Sequence, residues 1–172
     1  MCAFERSEKG MEFNMDNYGY LLEKGRMEGI VKNVVGAIIV NGQGKILVMS
    51  RKSDDFMGGI DELPSGNMEA GEDITTALAR EVKEETNCDM QKILYYIDSF
   101  DYKSSSGKNA RQYNFAIKVK DTNNIVLTEH DAYSWETPEE IMNNSKITTE
   151  VKKTIKKYMQ IEQNMEKMEE NR

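Results

Sequence analysis

The strongest constraint on the fold of this 172-residue sequence is a helical segment in which an apolar stripe is continued by glutamate residues. The spacing predicts a helix over residues 74–86, in which Ile74, Leu78, Glu81 and Glu85 lie on one stripe at about 100° per residue. An apolar stripe has to pack against the rest of a domain. The two glutamates in line with it are therefore expected to face inward as well.

The neighbouring positions of this helix divide into two groups: Ala77, Glu84 and Cys88 are predicted to flank the stripe, and Thr76, Arg80, Lys83 and Asn87 to lie on the opposite side. A solvated face is the ordinary explanation of an acidic helix, but it should lie opposite the apolar stripe. Like charges three or four residues apart repel each other by a few tenths of a kcal/mol per pair. A divalent cation with oxygen ligands, Mg²⁺ or Mn²⁺, explains such a cluster better.

Composition excludes several other classes of site. The chain has one histidine, His130, and two cysteines, Cys2 and Cys88, which are too few for a structural zinc site. The formal charge of −7 argues against binding of a nucleic-acid polymer or an anionic membrane. No apolar run is long enough to span a membrane, the N-terminus does not read as a signal peptide, and the low cysteine content favours a cytoplasmic setting.

The length leaves room for one domain. Residues 1–30 are predicted to be an N-terminal extension, residues 31–160 the domain with its C-terminal helix, and residues 161–172 a frayed tail. Apolar runs predict strands, and cap residues predict helices: strands near residues 31–40, 46–49, 60–63, 93–102, 112–119 and 125–127, and helices at 74–86, from Thr137 and Pro138, and from 147 onward. This order predicts a mixed sheet with helices on its faces, an α/β or α+β domain.

The segment from Gly66 resembles a known motif. Its residues follow the pattern of the Nudix box, G-x5-E-x7-R-E-U-x-E-E-x-G-U, where U is bulky and apolar: Gly66, Glu72, Arg80, Glu81, Val82, Glu84 and Glu85. Asn87 stands in the place of the last glycine, and Cys88 in that of the last apolar residue. The preceding E-L-P-S-G also resembles the family's E-L-P-G-G, and the likeness extends over roughly residues 31–145.

The resemblance implies a Nudix-type α/β/α sandwich with a loop–helix–loop catalytic motif. It implies metal-dependent hydrolysis of the pyrophosphate linkage in a nucleoside diphosphate joined to another group X, with nucleoside triphosphates among the open substrates. The implied roles are metal binding or water activation for Glu81, Glu84 and Glu85, a further ligand from the carbonyl of Gly66 or the residue before it, orientation of a carboxylate by Arg80, and stabilisation of the motif by Glu72.

Weaker signals lie outside the box. Glu129, with Asp131 as second choice, is a candidate ligand or base on a late loop, although a surface turn is an equal alternative. Arg51 and Arg111 are predicted to contact substrate phosphates, and His130 is interpreted as an ordinary loop histidine. The expected partner is a small nucleotide, and a homodimer is left open. A nucleotide sensor without turnover is the alternative function, favoured only if box carboxylates were lost.

Overall fold

The computed structural model describes residues 18–55 and 57–171, so residues 1–17 of the predicted extension lie outside the described residues. Helices and strands follow one another in this order: α1 Gly19–Met27, β1 Lys32–Ile39, β2 Ile46–Arg51, β3 Asp61–Glu62, β4 Ser65–Asn67, α2 Ile74–Thr86, β5 Met90–Lys103, β6 Asn109–Val119, β7 His130–Glu136, α3 Pro138–Asn143 and α4 Thr149–Glu170. None of the helices in this part of the chain is both long and apolar enough to cross a membrane.

The strands form two sheets. One has the order β4-β1-β6-β5 and is mixed, because β1 and β6 are parallel and the other pairs antiparallel. The other has the order β3-β2-β7 and is antiparallel. The turn predicted after β1 is present, but β1 and β2 diverge into different sheets and share only a bridge between Val40 and Ile46.

Helices cover both sides of these sheets, which confirms the predicted α/β/α sandwich. Helices α1 and α2 share one core cluster with the odd-numbered residues of β1 and β6, and α3 and α4 share a second cluster with Ile38 and Ala116. Helix α1 belongs to the packed domain although the sequence placed it in an extension. Its Leu21 is buried, and the hydroxyl of Tyr113 donates a hydrogen bond to the Leu21 carbonyl at 3.2 Å.

Helix α2 has the predicted bounds because both of its ends carry local signals. The Asp73 side chain accepts a hydrogen bond from the Thr76 amide at 2.7 Å, and Asn87 ends the helix in the left-handed conformation at φ 61°. Ile74 and Leu78 are fully buried as expected. The helix therefore delivers the glutamates of its last turns to a fixed place beside the sheets.

The conformation of Asn87 leads to a stability prediction. Asn87→Gly is expected to change the unfolding free energy by less than about 1 kcal/mol in the stabilising direction, because glycine enters the left-handed region without strain. Asn87→Val is expected to destabilise the protein, because a β-branched residue resists positive φ. Urea unfolding of both variants measures this difference. Equal unfolding midpoints for the Gly and Val variants would contradict the cap.

Two predicted elements were wrong. Residues 125–127 are not a strand; Ile125 and Leu127 pack on the core as coil, and the Val126 amide donates to the Thr86 carbonyl. The last strand is β7 instead. The sequence predicts a loop there, because polar residues obscure the alternation of apolar and polar positions that is typical of a strand. Its partner, β2, lies about 85 residues away in sequence, so only the tertiary fold brings the two strands together.

The tail predicted to fray from residue 161 is helical through Glu170. Ile161 packs against the second core cluster. The hydroxyl of Tyr95 donates a hydrogen bond to the Glu162 carboxylate, and the ring of Tyr95 stacks on that of Tyr158 at 6.5 Å. These contacts with β5 hold the helix one turn beyond the point where its apolar periodicity becomes weak in the sequence.

Candidate active site

The glutamates of α2 border a cavity of about 640 Å³ that lies between the two sheets and the start of α4. Its acidic wall combines carboxylates from four different parts of the chain: Glu62 at the end of β3, Glu81, Glu84 and Glu85 from α2, Glu129 before β7 and Glu150 from α4. Chain connectivity brings only three of these together. Glu62 and Glu129 arrive through the pairing of β2 with β3 and β7, and Glu150 arrives through the packing of α4 against β5.

Glu85 is the most deeply buried of these carboxylates, with 6% of its surface exposed. Burial, joined by the charges of Glu62, Glu81 and Glu129, raises its pKa to about 8. The backbone amide of Ser65 donates a hydrogen bond to Glu85 Oε2 at 2.8 Å, which opposes this shift in part. The inward orientation expected for Glu85 is thus confirmed, and its ionised form is under electrostatic strain.

Glu81 lies directly against the backbone of β4. A Cβ atom on Gly66 would come within 1.9 Å of Glu81 Oε2, so glycine is the residue that leaves room for this carboxylate. Burial raises the pKa of Glu81, and its hydrogen bond from Arg80 at 2.8 Å opposes the rise. The close approach gives Gly66 a steric role beside the ligand role that the resemblance implies.

Arg80 ties the loop before α2 to the helix. Its guanidinium binds both oxygens of Glu72, at 2.7 and 2.9 Å, and donates to the Asn67 carbonyl at 2.9 Å. These hydrogen bonds from Arg80, followed by one from the Glu69 amide, lower the pKa of Glu72 to about 2. The planar fork of arginine matches a carboxylate in this two-point geometry, which lysine does not reproduce.

The sequence placed Arg80 on the wrong side of the helix, whereas Glu84 borders the cavity beside Glu81 and Glu85 as expected. Arg80 also donates to Glu81 and, at 3.1 Å, to Glu84, so it lies over the carboxylates and not opposite them. Its long side chain reaches back along the helix to Glu72, which the helical wheel does not take into account. The Glu84 side chain is 59% exposed at the cavity mouth, while Val82 takes the buried place.

Arg51 borders the cavity as part of a buried charged group. Its guanidinium binds both oxygens of Glu62, at 2.8 and 2.6 Å, and His130 Nε2 lies 2.9 Å from Glu62 Oε1. The His130 side chain is 5% exposed, and its Nδ1 is buried without a hydrogen-bond partner among the described residues. The interpretation of His130 as an ordinary loop histidine was therefore wrong.

Of the remaining predicted residues, some border the cavity and others lie away from it. Glu129 borders the cavity, whereas Asp131 is exposed and lies outside its lining. Arg111 was predicted to contact phosphate, but it pairs with Asp101 at 2.5 Å and with Glu28 at 2.6 Å, and it is not part of the lining. Successive residues of a strand point to opposite faces, so Arg111 turns to the α1 side of the sheet.

A family model for the NUDIX domain matches residues 31–158, which is most of the chain. The chain belongs to the NUDIX family. Two solved structures share this fold. The MutT protein from Methanosarcina mazei Go1 is 23% identical with a TM-score of 0.70, over 78% of this chain and 97% of that one. The E. coli ORF135 protein is 26% identical with a TM-score of 0.65, over 79% and 94%.

A curated relative is Nudix hydrolase 2 of Arabidopsis thaliana, 41% identical over 58 residues. The match covers 33% of this chain and 21% of the relative, so it spans about a fifth of that protein's length. The family match identifies residues 31–158 as a NUDIX domain. Within this domain, Arg80 contacts three other residues of the box, which are Glu72, Glu81 and Glu84.

NUDIX hydrolases in general use divalent cations. Among the described residues, no three His, Cys, Asp or Glu side chains converge as a metal-binding group. Arg80 instead donates hydrogen bonds to Glu81 and Glu84. The donor chemistry still fits Mg²⁺ or Mn²⁺, because the ligands are carboxylate oxygens and a cation would relieve the repulsion that acts on Glu85.

Sequence reasoning missed the sheet wall of this NUDIX cavity. Side chains from four strands meet there in one row: Asn67 of β4, Val34 of β1, Gln112 of β6 and Phe100 of β5. Alternation along β5 and β6 identifies residues that share a face. It does not say which face meets the cavity, because that depends on strand register and on where α4 docks.

Proposed function

We propose that this chain is a metal-dependent hydrolase of the pyrophosphate linkage in a nucleoside diphosphate joined to another group X. The observation that carries the proposal is the buried, mutually repelling group of carboxylates around Glu85, in a cavity large enough for a nucleotide. An arrangement that strains its own ionised form is retained where a cation and an anionic substrate use it.

Each box residue has a place in this proposal. Glu81, Glu84 and Glu85, with the carbonyl of Gly66, would hold the Mg²⁺ or Mn²⁺. A bound divalent ion neutralises diphosphate charge and makes its water more acidic. Glu81 and Glu84 would exchange their hydrogen bonds with Arg80 for the ion. Arg80, fixed by Glu72 at two points, keeps both carboxylates within reach of it.

Two residues outside the box complete the proposed machinery. Glu129 faces the same cavity and would accept a proton from the attacking water, a role that requires a carboxylate within hydrogen-bond reach of that water. Arg51 would donate to a phosphate oxygen, held in orientation by its two bonds to Glu62. Arg111 and Asp131 have no place in this mechanism, because neither borders the cavity.

The proposed substrate is a small nucleotide and the proposed setting is the cytoplasm. Carboxylates on the cavity wall would repel a polymer of phosphates, whereas a single diphosphate can be held through the cation. Cys88 is a free, buried thiol, as expected in a reducing compartment. A nucleotide sensor without turnover is less favoured, because every carboxylate of the box is present.

The test is a panel of nucleoside diphosphate derivatives and triphosphates, incubated with Mg²⁺, with Mn²⁺ or with EDTA, and assayed for released phosphate, pyrophosphate and nucleoside monophosphate. At least one compound is expected to be cleaved with metal and spared with EDTA. Turnover undiminished by EDTA would overturn the metal role. Metal-dependent nucleotide binding without cleavage of any compound would favour the sensor.

Variants at Glu129 and Asp131 locate the base within the same assay. Glu129→Gln is expected to lower turnover by about 10²-fold or more, the contribution typical of a general base. Asp131→Asn is the matched control, two residues away and exposed, and is expected to keep full turnover. Equal rates in the two variants would remove Glu129 from the mechanism.

A further inference from the structure

The wall of the cavity formed by β5 and β6 carries two aromatic rings and one amide. Phe100 is the register partner of Gln112, and both border the cavity. Tyr102 follows on the same face of β5, with its ring centre 6.3 Å from that of Phe100. None of these side chains is used in the proposed hydrolysis.

A buried hydrogen-bond chain orients the Gln112 amide. Asp98 Oδ1 accepts hydrogen bonds at 3.0 Å from both Asn114 Nδ2 and the hydroxyl of Thr154 on α4. Since Asn114 Nδ2 is used in this way, Asn114 Oδ1 is the atom left to accept, and Gln112 Nε2 donates to it at 2.9 Å. Asn114 is fully buried, so water does not compete for the hydrogen bonds of its amide.

The packing of β1 leaves room for this pair of amides. A Cβ atom on Gly36 would come within 2.4 Å of Asn114 Oδ1 and 2.6 Å of Gln112 Nε2, so the amide nitrogen lies against bare backbone. With its nitrogen end turned inward, Gln112 has its carbonyl oxygen left for the cavity that it borders. The wall therefore presents a fixed acceptor beside two aromatic rings.

We propose that this wall is a nucleobase subsite, in which Gln112 Oε1 accepts a hydrogen bond from an amino group of the base and Phe100 and Tyr102 contact its ring. Planar rings pack well on aromatic side chains, and a buried acceptor selects a ligand that carries a donor. This inference rests on the proposed function, since it places the base of the nucleotide whose diphosphate reaches the carboxylates.

The subsite can be tested without metal, phosphate or turnover. Nucleosides are titrated into the full chain in EDTA and followed by protein NMR shifts, in pairs that differ by one amino group: adenosine and purine riboside, cytidine and its analogue without the 4-amino group, guanosine and inosine. In at least one pair the amino-bearing nucleoside is expected to bind about tenfold more tightly, because its partner leaves a buried acceptor unpaired.

Two variants separate the acceptor from the rings. Gln112→Met is expected to abolish the difference within that pair, whereas Phe100→Ala is expected to weaken both members equally. Gln43→Met, at an exposed glutamine in the β1–β2 turn, is the control and is expected to leave the nucleoside affinities unchanged. Thermal melts check that each variant is folded.

The outcomes distinguish this proposal from the proposed function. Equal affinity within all three pairs for the unaltered chain overturns the subsite, whether or not Gln112→Met folds. A difference that persists in Gln112→Met also overturns the assignment to Gln112. Because the nucleosides have no phosphate, a chain that discriminates them and yet cleaves nothing keeps the subsite and loses the hydrolase. A chain that cleaves nucleotides but does not discriminate the nucleosides keeps the hydrolase and loses the subsite.

Discussion

Glu85→Gln is expected to raise the melting temperature of the metal-free protein and to reduce nucleotide hydrolysis by orders of magnitude. Ionised Glu85 is buried beside the carboxylates of Glu62, Glu81 and Glu129, and it accepts a hydrogen bond from the Ser65 amide. A neutral amide of the same shape still accepts that hydrogen bond and no longer repels its neighbours. It also loses the anionic oxygen that a cation would bind.

The pH dependence of stability provides a second measurement for Glu85. Its pKa is about 8 in the folded protein, against an ordinary value of 4.5, so the folded state binds the extra proton between these values. The unfolding free energy should fall as the pH rises through this window, by about 1.4 kcal/mol for each unit of pKa difference. In Glu85→Gln this contribution should be absent.

Metal titration connects the two effects. The melting temperature of the unaltered protein should rise as Mg²⁺ or Mn²⁺ is added, following RT ln(1 + [M]/Kd), and that of Glu85→Gln should rise less. Glu166→Gln, which neutralises an exposed glutamate of α4, is the matched control for loss of one charge. If Glu85→Gln is no more stable than the control and keeps full activity, Glu85 has no part in a metal site.

The parts of the site that the sequence could predict are those specified within one segment. The bounds of α2 follow from Asp73 and Asn87, residues that act on their own helix end. The inward direction of Glu85 follows from Ile74 and Leu78 on the same stripe. The helical wheel was wrong for Arg80. A wheel gives the direction in which a side chain leaves the helix, but it does not give the position of the end of a long side chain.

The parts that could not be predicted depend on register and distance. Arg111 and Gln112 are adjacent, and a shift of one residue in β6 would exchange their faces. The sequence favoured the arginine for its charge, and the structure places the glutamine at the cavity. Glu62 and His130 are separated by 68 residues and meet only because β3 and β7 both pair with β2.

Gly66→Ala is expected to reduce turnover by about 10²-fold or more while the protein stays folded. The new Cβ would lie 1.9 Å from Glu81 Oε2 and 2.0 Å from Glu81 Cδ, so the carboxylate has to leave its position. Displacement of a catalytic group by about 1 Å is enough for a loss of this size. The atoms in conflict end a side chain that can rotate, so we expect the unfolding free energy to change by about 1 kcal/mol.

A double-mutant cycle with Glu81 shows whether the loss acts through this carboxylate. In a Glu81→Ala background nothing remains for the new Cβ to displace, so Gly66→Ala should cause little further loss of turnover. Gly42→Ala is the control, because Gly42 lies in an exposed turn with no neighbouring atom within 4 Å of its would-be Cβ. Full turnover in Gly66→Ala, or an equal loss in both backgrounds, would contradict the steric role of Gly66. A loss confined to the background that retains Glu81 would show that the bare backbone of β4 positions this carboxylate for catalysis.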